Sequence, residues 1–254
     1  MTSEHFALAS AGFARGERYE RARPGYPAEA IAVLLNGCGV GPGTRVLDLA
    51  AGTGKLTRDL VASGAKVIAV EPVAGMRARL ASIVPDEQIL DGTAERLAVS
   101  DGSVDAVTVG QAFHWFDGPA AVQEIHRVLV PGGAVGLIWN MMDRRVAWVE
   151  RVQELIHRHR GASPWYSSHA WRVAFTADCG FGPLEHRACM NAQHVDVEGL
   201  VDRVASISFI ATLPDTARSE VLGQVRQIAA EELPGQSHFA IPYVTDVFWS
   251  HRTG

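Results

Sequence analysis

The chain has 254 residues, of which 47% are hydrophobic and 20% charged, enough apolar content to bury a large core and to exclude a mainly disordered state. Its 23 basic against 28 acidic side chains leave a net charge of −5, which disfavours a surface built to track a phosphate backbone, so no nucleic-acid partner is expected. Three cysteines, Cys38, Cys179 and Cys189, stand far apart without a C-x-x-C pair, which argues against a disulfide framework and fits a reducing cytoplasm.

Met1 to His5 carries no basic region leading into an apolar run, and nowhere does an apolar run reach the roughly 18 residues of a span, so neither export signal nor membrane segment is expected. Pro27 to Leu35 reads as a helix opened by proline, and Gly37 to Gly43 as the glycine-rich loop that closes it. From Thr44 to Trp139, short apolar runs alternate with helical patterns, the sequence form of βαβ units on a parallel sheet. Strands are expected at 45–49, 66–70, 87–90, 104–109 and 134–139, with helices at 54–64, 73–82 and 118–130. Val122, Ile125, Val128 and Leu129 fall at helical spacing in the last of these, and Pro131-Gly132-Gly133 is expected to end it.

Beyond Trp139 the rhythm changes to a helix at 146–159, a loop at 161–168 and a helix at 169–178 closing at Cys179-Gly180. A strand from Pro183 to His194, helices at 196–211 and 215–232 and a last strand from Tyr243 to Ser250 follow. Pro242 speaks against an earlier start for that strand, because proline cannot donate to a ladder. No long linker interrupts the pattern. The expected architecture is therefore α/β, a doubly wound, mostly parallel sheet with a helical cap, in a single domain of residues 1–254. Residues 1–43 would supply an N-terminal lid and first helices, 44–140 the ligand-binding core, and 141–254 the cap and the elements that complete the sheet.

The segment Val46-Leu-Asp-Leu-Ala-Ala-Gly-Thr-Gly-Lys-Leu-Thr57 is a strand, a small-residue turn and a helix start. Ala50, Gly52 and Gly54 alternate, so the backbone can turn sharply and approach a ligand, with helix-start N–H groups expected to remain unpaired for it. Glu71 ends the second strand nineteen positions after Gly52, where a carboxylate can accept two hydrogen bonds from a ribose diol, which points to an adenosine-type ligand. A phosphate-cradling loop is disfavoured, because Leu56 follows Gly54-Lys55 where Ser or Thr is needed. The dinucleotide fingerprint also fails, since Thr57 stands at its third glycine; an NAD-linked oxidoreductase is the lesser reading.

Leu47-Asp48-Leu49-Ala50-Ala51-Gly52-Thr53-Gly54 resembles motif I of the seven-strand, Rossmann-like S-adenosylmethionine-dependent methyltransferases, with Ala50 in place of the family's first glycine. Val70-Glu71-Pro72 resembles the family's acidic strand end, with Met76 placed to pack on adenine. Asp91-Gly-Thr-Ala-Glu-Arg-Leu97 resembles its adenine-edge segment, which implies that Thr93 and the backbone of Ala94 meet N6 and N1. Gly110 to Trp115 after the fourth strand and Arg127 to Gly133 before the fifth complete the series. The stretches Phe13-Ala14, Tyr19, Arg23-Pro24-Gly25-Tyr26-Pro27 and Ala112-Phe-His-Trp-Phe116 are similar to the small-molecule branch that includes trans-aconitate methyltransferase. That likeness implies that the first segment folds over the cofactor and that Tyr19 and Arg23 approach its methionine carboxylate. Asn-Pro-Pro-Tyr, which serves attack by planar amines in relatives, is absent; Gln111-Ala-Phe113 stands in its place, with Gln111 on the cofactor side.

His114 follows the fourth strand at the carboxyl edge where open α/β sheets bind ligands, so its imidazole is either a base for an acceptor hydroxyl or part of an aromatic cluster with Phe113, Trp115 and Phe116. Asp48 either contacts the cofactor or orients the turn, and Asp143 is either a competing base or an exposed loop acid. Trp165, Tyr166, Trp171 and Phe175 line a substrate pocket or belong to the core. His157, His159, Cys179, His186, Cys189 and His194 match no zinc spacing, and no metal is expected. The resemblance implies an enzyme that uses S-adenosylmethionine to methylate a small-molecule acceptor by in-line displacement, as a monomer or homodimer. The alternative is a non-catalytic S-adenosylmethionine-binding regulatory or partner protein.

Overall fold

The computed structural model describes residues 22–176 and 178–254. Helix α1 (Ala28–Gly37) precedes strand β1 (Arg45–Leu49), followed by α2 (Lys55–Ala62), β2 (Lys66–Val70), α3 (Ala74–Leu80) and the short β3 (Ile89–Leu90). Strand β4 (Val104–Gly110), helix α4 (Gly118–Val128) and strand β5 (Leu129–Met142) complete the alternating part. The remainder is α5 (Ala147–His157), β6 (Glu185–Val195), α6 (Val197–Ala205), α7 (Ser208–Ala211), α8 (Asp215–Glu232) and β7 (Phe239–His251).

The strands form one seven-stranded sheet in the order β3-β2-β1-β4-β5-β7-β6. Strands β1 to β5 are parallel to one another, and β7 runs antiparallel between β5 and β6. Val46, Leu47 and Leu49 on β1 are all buried, as are Ala106, Val107 and Val109 on β4. Central strands covered on both faces require such continuous apolar runs. One face packs Leu47, Val107 and Leu137 with Val122 and Ile125 of α4; the other packs Val46, Ala106 and Ile138 with Leu34 of α1 and Leu60 of α2. A third cluster joins α5, α6 and α8 to Phe239, Ile241 and Tyr243 at the start of β7. No described helix is long and apolar enough to cross a membrane.

Several boundaries depart from the sequence reading. Helix α4 stops at Val128, and β5 begins at once, running through Pro131-Gly132-Gly133. The register shifts there, from Val104 opposite Leu129 to Ala106 opposite Ala134, so the extra residues are absorbed in an irregularity beside β4. Pro242 lies inside β7, opposite Ala192. Its carbonyl accepts from the Asp143 N–H, so its nitrogen faces the same side, just beyond the last β5 pair at Met142–Tyr243, where no ladder donor is needed. The helix expected at 169–178 reduces to a short 3-10 segment, Ala170–Ala174, behind a 3-10 turn at Tyr166–Ser168. The helix expected at 196–211 breaks after Ser206, whose hydroxyl donates to the Arg203 carbonyl at 2.7 Å while Ile207 is extended.

Candidate functional site

At the carboxyl end of β1 the chain turns through Ala50 (φ 56°), Gly52 (φ 61°) and Gly54 (φ 86°) before α2 begins. Alanine is held here in the left-handed region although its Cβ disfavours it, at a cost of about 1–2 kcal/mol. Around Gly52, an added Cβ would meet only the Met76 Sδ, at 3.9 Å, so this face stays open to a ligand. Gly54 faces the other way: a Cβ there would overlap Ile83 Cδ1 and lie 3.0 Å from Leu80 Cδ2.

Two buried carboxylates hold this turn. Thr57 Oγ1 donates to Asp48 Oδ2 at 2.6 Å and Thr108 Oγ1 to Asp48 Oδ1 at 3.3 Å, so Asp48 ties α2 to β1 and β4. Burial pushes its carboxyl up to about 7, against the opposing effect of the two hydroxyls. Glu71, also buried, accepts from the Gly52 N–H at 2.9 Å and the Val73 N–H at 2.8 Å. Burial raises its pKa above the ordinary value, with those backbone donors pulling the other way. The helix-start donors are thus less vacant than expected, since Gly52 serves Glu71 and the Gly54 N–H donates to the Ala51 carbonyl. Two further acceptor positions remain on the Glu71 carboxylate for a diol.

Asp48, Ala50, Gly52, Glu71, Pro72, Met76, Thr93, Ala94, Gln111, His114 and Arg23 all line one cavity of about 230 Å³ at the carboxyl edge of the sheet. Gly54 supports the turn from behind, and Tyr19 lies outside the described residues. Gln111 also adopts a left-handed conformation (φ 62°), its N–H donating to the Ile138 carbonyl at 2.9 Å. Two of the three non-glycine residues with positive φ among those described therefore sit in this cavity, a concentration of strain typical of ligand sites. Arg23 Nη2 donates to the Ser206 carbonyl at 2.8 Å, so the guanidinium sits at the seam between the N-terminal segment and the α6–α7 break.

His114 sits in the 3-10 turn Phe113–Trp115 and accepts at Nδ1 from the Trp139 Nε1–H at 3.3 Å. An indole nitrogen only donates, so this contact fixes a neutral ring with its proton on Nε2. Burial, assisted by the Arg23 charge, lowers its pKa to about 3. In this environment the ring is neutral and its Nε2–H is the hydrogen-bond donor left. Asp143 is neither a loop acid in solvent nor in this cavity. It is buried, clasped by Arg145 through contacts of 2.8 and 2.7 Å that hold its carboxyl below the ordinary range.

The wall opposite the turn comes from elements that the sequence reading did not connect to it. Gln153 of α5, Arg203 of α6, and Ser208 and Phe209 of α7 reach the cavity, beside Trp165 and Tyr166, which the sequence reading had offered as pocket or core residues. Trp171 and Phe175 instead pack in the sheet core. Asn140 was signalled only by being a lone amide in the apolar run Leu137 to Met142; it accepts from Thr245 at 2.6 Å and donates to the Gly25 carbonyl at 3.0 Å.

The profile of the methyltransferase domain family matches residues 47–137, which include the β1 turn, Glu71, the adenine-edge segment and His114. An uncharacterized methyltransferase of Mycobacterium bovis is 41% identical over 229 residues, 89% of either chain. An uncharacterized methyltransferase-like protein of Schizosaccharomyces pombe is 36% identical over 83% of this chain and 82% of its own length. Among solved structures, phosphoethanolamine N-methyltransferase 2 of Haemonchus contortus, in complex with S-adenosylhomocysteine, shares the fold with a TM-score of 0.56 at 16% identity, covering 96% of this chain and 59% of that one.

Proposed function

Because the chain belongs to the class I S-adenosylmethionine-dependent methyltransferases, we propose that it methylates a small molecule enclosed between the β1 turn and the cap. The observation that carries this reading is a single cavity lined both by the turn residues Ala50, Gly52 and Glu71 and by the cap residues Gln153, Arg203 and Phe209. The turn fits the cofactor: its face at Gly52 is open, and the buried Glu71 carboxylate retains acceptor capacity toward it. When bound, S-adenosylmethionine supplies an electrophilic methyl group on a sulfonium.

In this reading Glu71 accepts from the ribose diol, Pro72 and Met76 pack on the adenine, and Thr93 and Ala94 meet its edge. Asp48 acts at one remove, holding the turn through Thr57 and Thr108. Gln111, strained and lining the cavity, bounds the cofactor side nearest the acceptor, and Arg23 closes the carboxylate end. His114 presents its Nε2–H to the acceptor and orients it without removing a proton. Trp139, Phe209 and Met142 exclude water from the cavity, so alignment of nucleophile with the methyl carbon accounts for most of the catalysis asked of this chain.

Calorimetric titration with S-adenosylmethionine, S-adenosylhomocysteine, NAD and ATP tests the reading. The first two are expected to bind and to weaken about tenfold or more in Glu71→Ala, with no binding of NAD. A folded protein that binds neither adenosyl ligand would overturn it.

A further inference from the structure

The cap end of the cavity contains hydrogen-bond donors with nothing to donate to. Arg203 Nη1 and Trp165 Nε1 are buried and have no partner among the described residues, and both side chains line the same cavity. Trp171 Nε1 and Arg252 Nε are also buried without a partner but lie outside this cavity, whereas Arg203 and Trp165 stand where a bound molecule can complete them.

The guanidinium is held in place. Arg203 Nε donates to Tyr243 Oη at 3.0 Å, with the guanidinium carbon 6.0 Å from the centre of that ring. Tyr243 Oη in turn donates to Gln193 Oε1 at 3.1 Å, and Gln193 Nε2 to the Ala22 carbonyl at 3.2 Å. This chain of contacts fixes the Nε edge and leaves Nη1 without a partner in a side chain that lines the cavity. No ion pair with a described carboxylate neutralises Arg203, whereas other arginines of the cap, Arg151 and Arg226, are paired with glutamates at 2.7 Å. Trp165 is placed by edge contacts with His157 (5.0 Å) and Phe209 (5.9 Å), which engage the ring and leave its N–H unused.

The carboxylates of the cavity, Asp48, Glu71 and Glu95, belong with Lys55 to the β1-turn, β2 and adenine-edge segments, while Arg203 is the cation that the α6 wall contributes. Between these ends the wall is largely apolar, with Met142, Ile207 and Phe209 nearest the cap.

On the reading that the cavity takes S-adenosylmethionine and an acceptor together, we propose that the acceptor is an organic carboxylate with an apolar body, its anionic end received by Arg203 and Trp165. A guanidinium and an indole N–H give charge-assisted bonding to carboxylate oxygens, and the methionine- and aromatic-lined wall takes the apolar body.

The test uses the full chain saturated with S-adenosylhomocysteine, titrated calorimetrically with 4-phenylbutyrate and with the matched neutral probe 4-phenylbutyramide. The acid is expected to bind about tenfold or more tightly than the amide, a preference that falls to near parity in Arg203→Met and by about threefold in Trp165→Phe. Arg203→Lys, which keeps the charge, should recover part of it. S-adenosylhomocysteine affinity should stay within about twofold in all three, which separates loss of the acceptor contact from loss of the fold. Equal binding of acid and amide, binding of neither, or an acid preference that survives both Arg203→Met and Trp165→Phe would overturn the proposal while leaving the cofactor reading intact. Failure of the wild-type protein to bind S-adenosylhomocysteine would bring down both.

Discussion

The turn after β1 and the cap wall across from it line the same cavity by opposite means. In the turn, the groups that fix the geometry are near in sequence: Thr57 reaches Asp48 over nine residues, and Glu71 reaches Gly52 over nineteen. In the cap wall, Arg203 is placed by a tyrosine 40 residues away, that tyrosine by a glutamine 50 away, and Arg23 meets Ser206 over a separation of 183. The turn also satisfies its own polar groups, whereas the cap wall leaves two buried donors open. A local, self-satisfied turn suits a ligand that a whole family shares. A wall assembled from distant segments, with donors left over, suits the part of the site that differs between members.

The sharpest way to break the local half is Gly54→Val. It adds a β-branched side chain at φ 86°, in space filled by Ile83 and Leu80, and should destabilise the fold by about 3 kcal/mol or more, read as a lower urea midpoint. The same measurement at Gly52, where the space is open, should show a smaller loss of stability and a larger loss of cofactor affinity.

Asp48 makes a pH prediction with a defined sign. Its folded pKa is raised to about 7 from an ordinary 3.8, so between those values the native state holds a proton that the unfolded chain has released. Its contribution to stability therefore falls as pH rises from about 4 to about 7 and is flat outside that window. Asp48→Asn should remove that slope, with a difference between the two proteins on the order of 4 kcal/mol across the window, measured by denaturant titration at each pH. An unchanged slope in the variant would show that the carboxylate is ionised in the folded state.

At the seam between the two halves, His114→Gln should retain most of the activity and His114→Ala should lose about tenfold in kcat/KM, because a donor is lost and not a base. The kcat/KM profile of the wild type should carry no ascending limb from His114 between about pH 5 and 8, given a pKa near 3. A limb in that range that vanishes in His114→Gln would restore the base assignment. The smallest expected effect is Ala50→Gly, which relieves a left-handed alanine but loosens the unfolded chain, for a net stabilisation of about 0.5 kcal/mol.

Much of the β1 side was legible because its information is backbone information. Alternating small residues at Ala50, Gly52 and Gly54 state where the chain must turn, and an acid after the next strand states where a carboxylate falls. Thr57 was legible only as a missing glycine; its bond to Asp48 depends on the pitch of α2 above β1. His114 was correctly placed at the sheet edge, but its protonation is set by Trp139 on the neighbouring strand, which no local pattern specifies. Pro242 was misread for a related reason, since whether a proline is tolerated in a strand depends on which neighbour has already ended.

The amino-acid sequence by itself determined the alternation of strands and helices, the small-residue turn and the acid that belongs with it, because periodicity and backbone permissiveness act over a few residues. Tertiary structure alone decided that β5 starts at Leu129, that Asp143 is spent on Arg145, and that Arg203 and Trp165, each with a buried donor lacking a partner, line the cavity. The physical reason is that desolvation and hydrogen-bond satisfaction depend on everything packed around a group. An arginine on an amphipathic helix reads as solvated until β6 and β7 close over it.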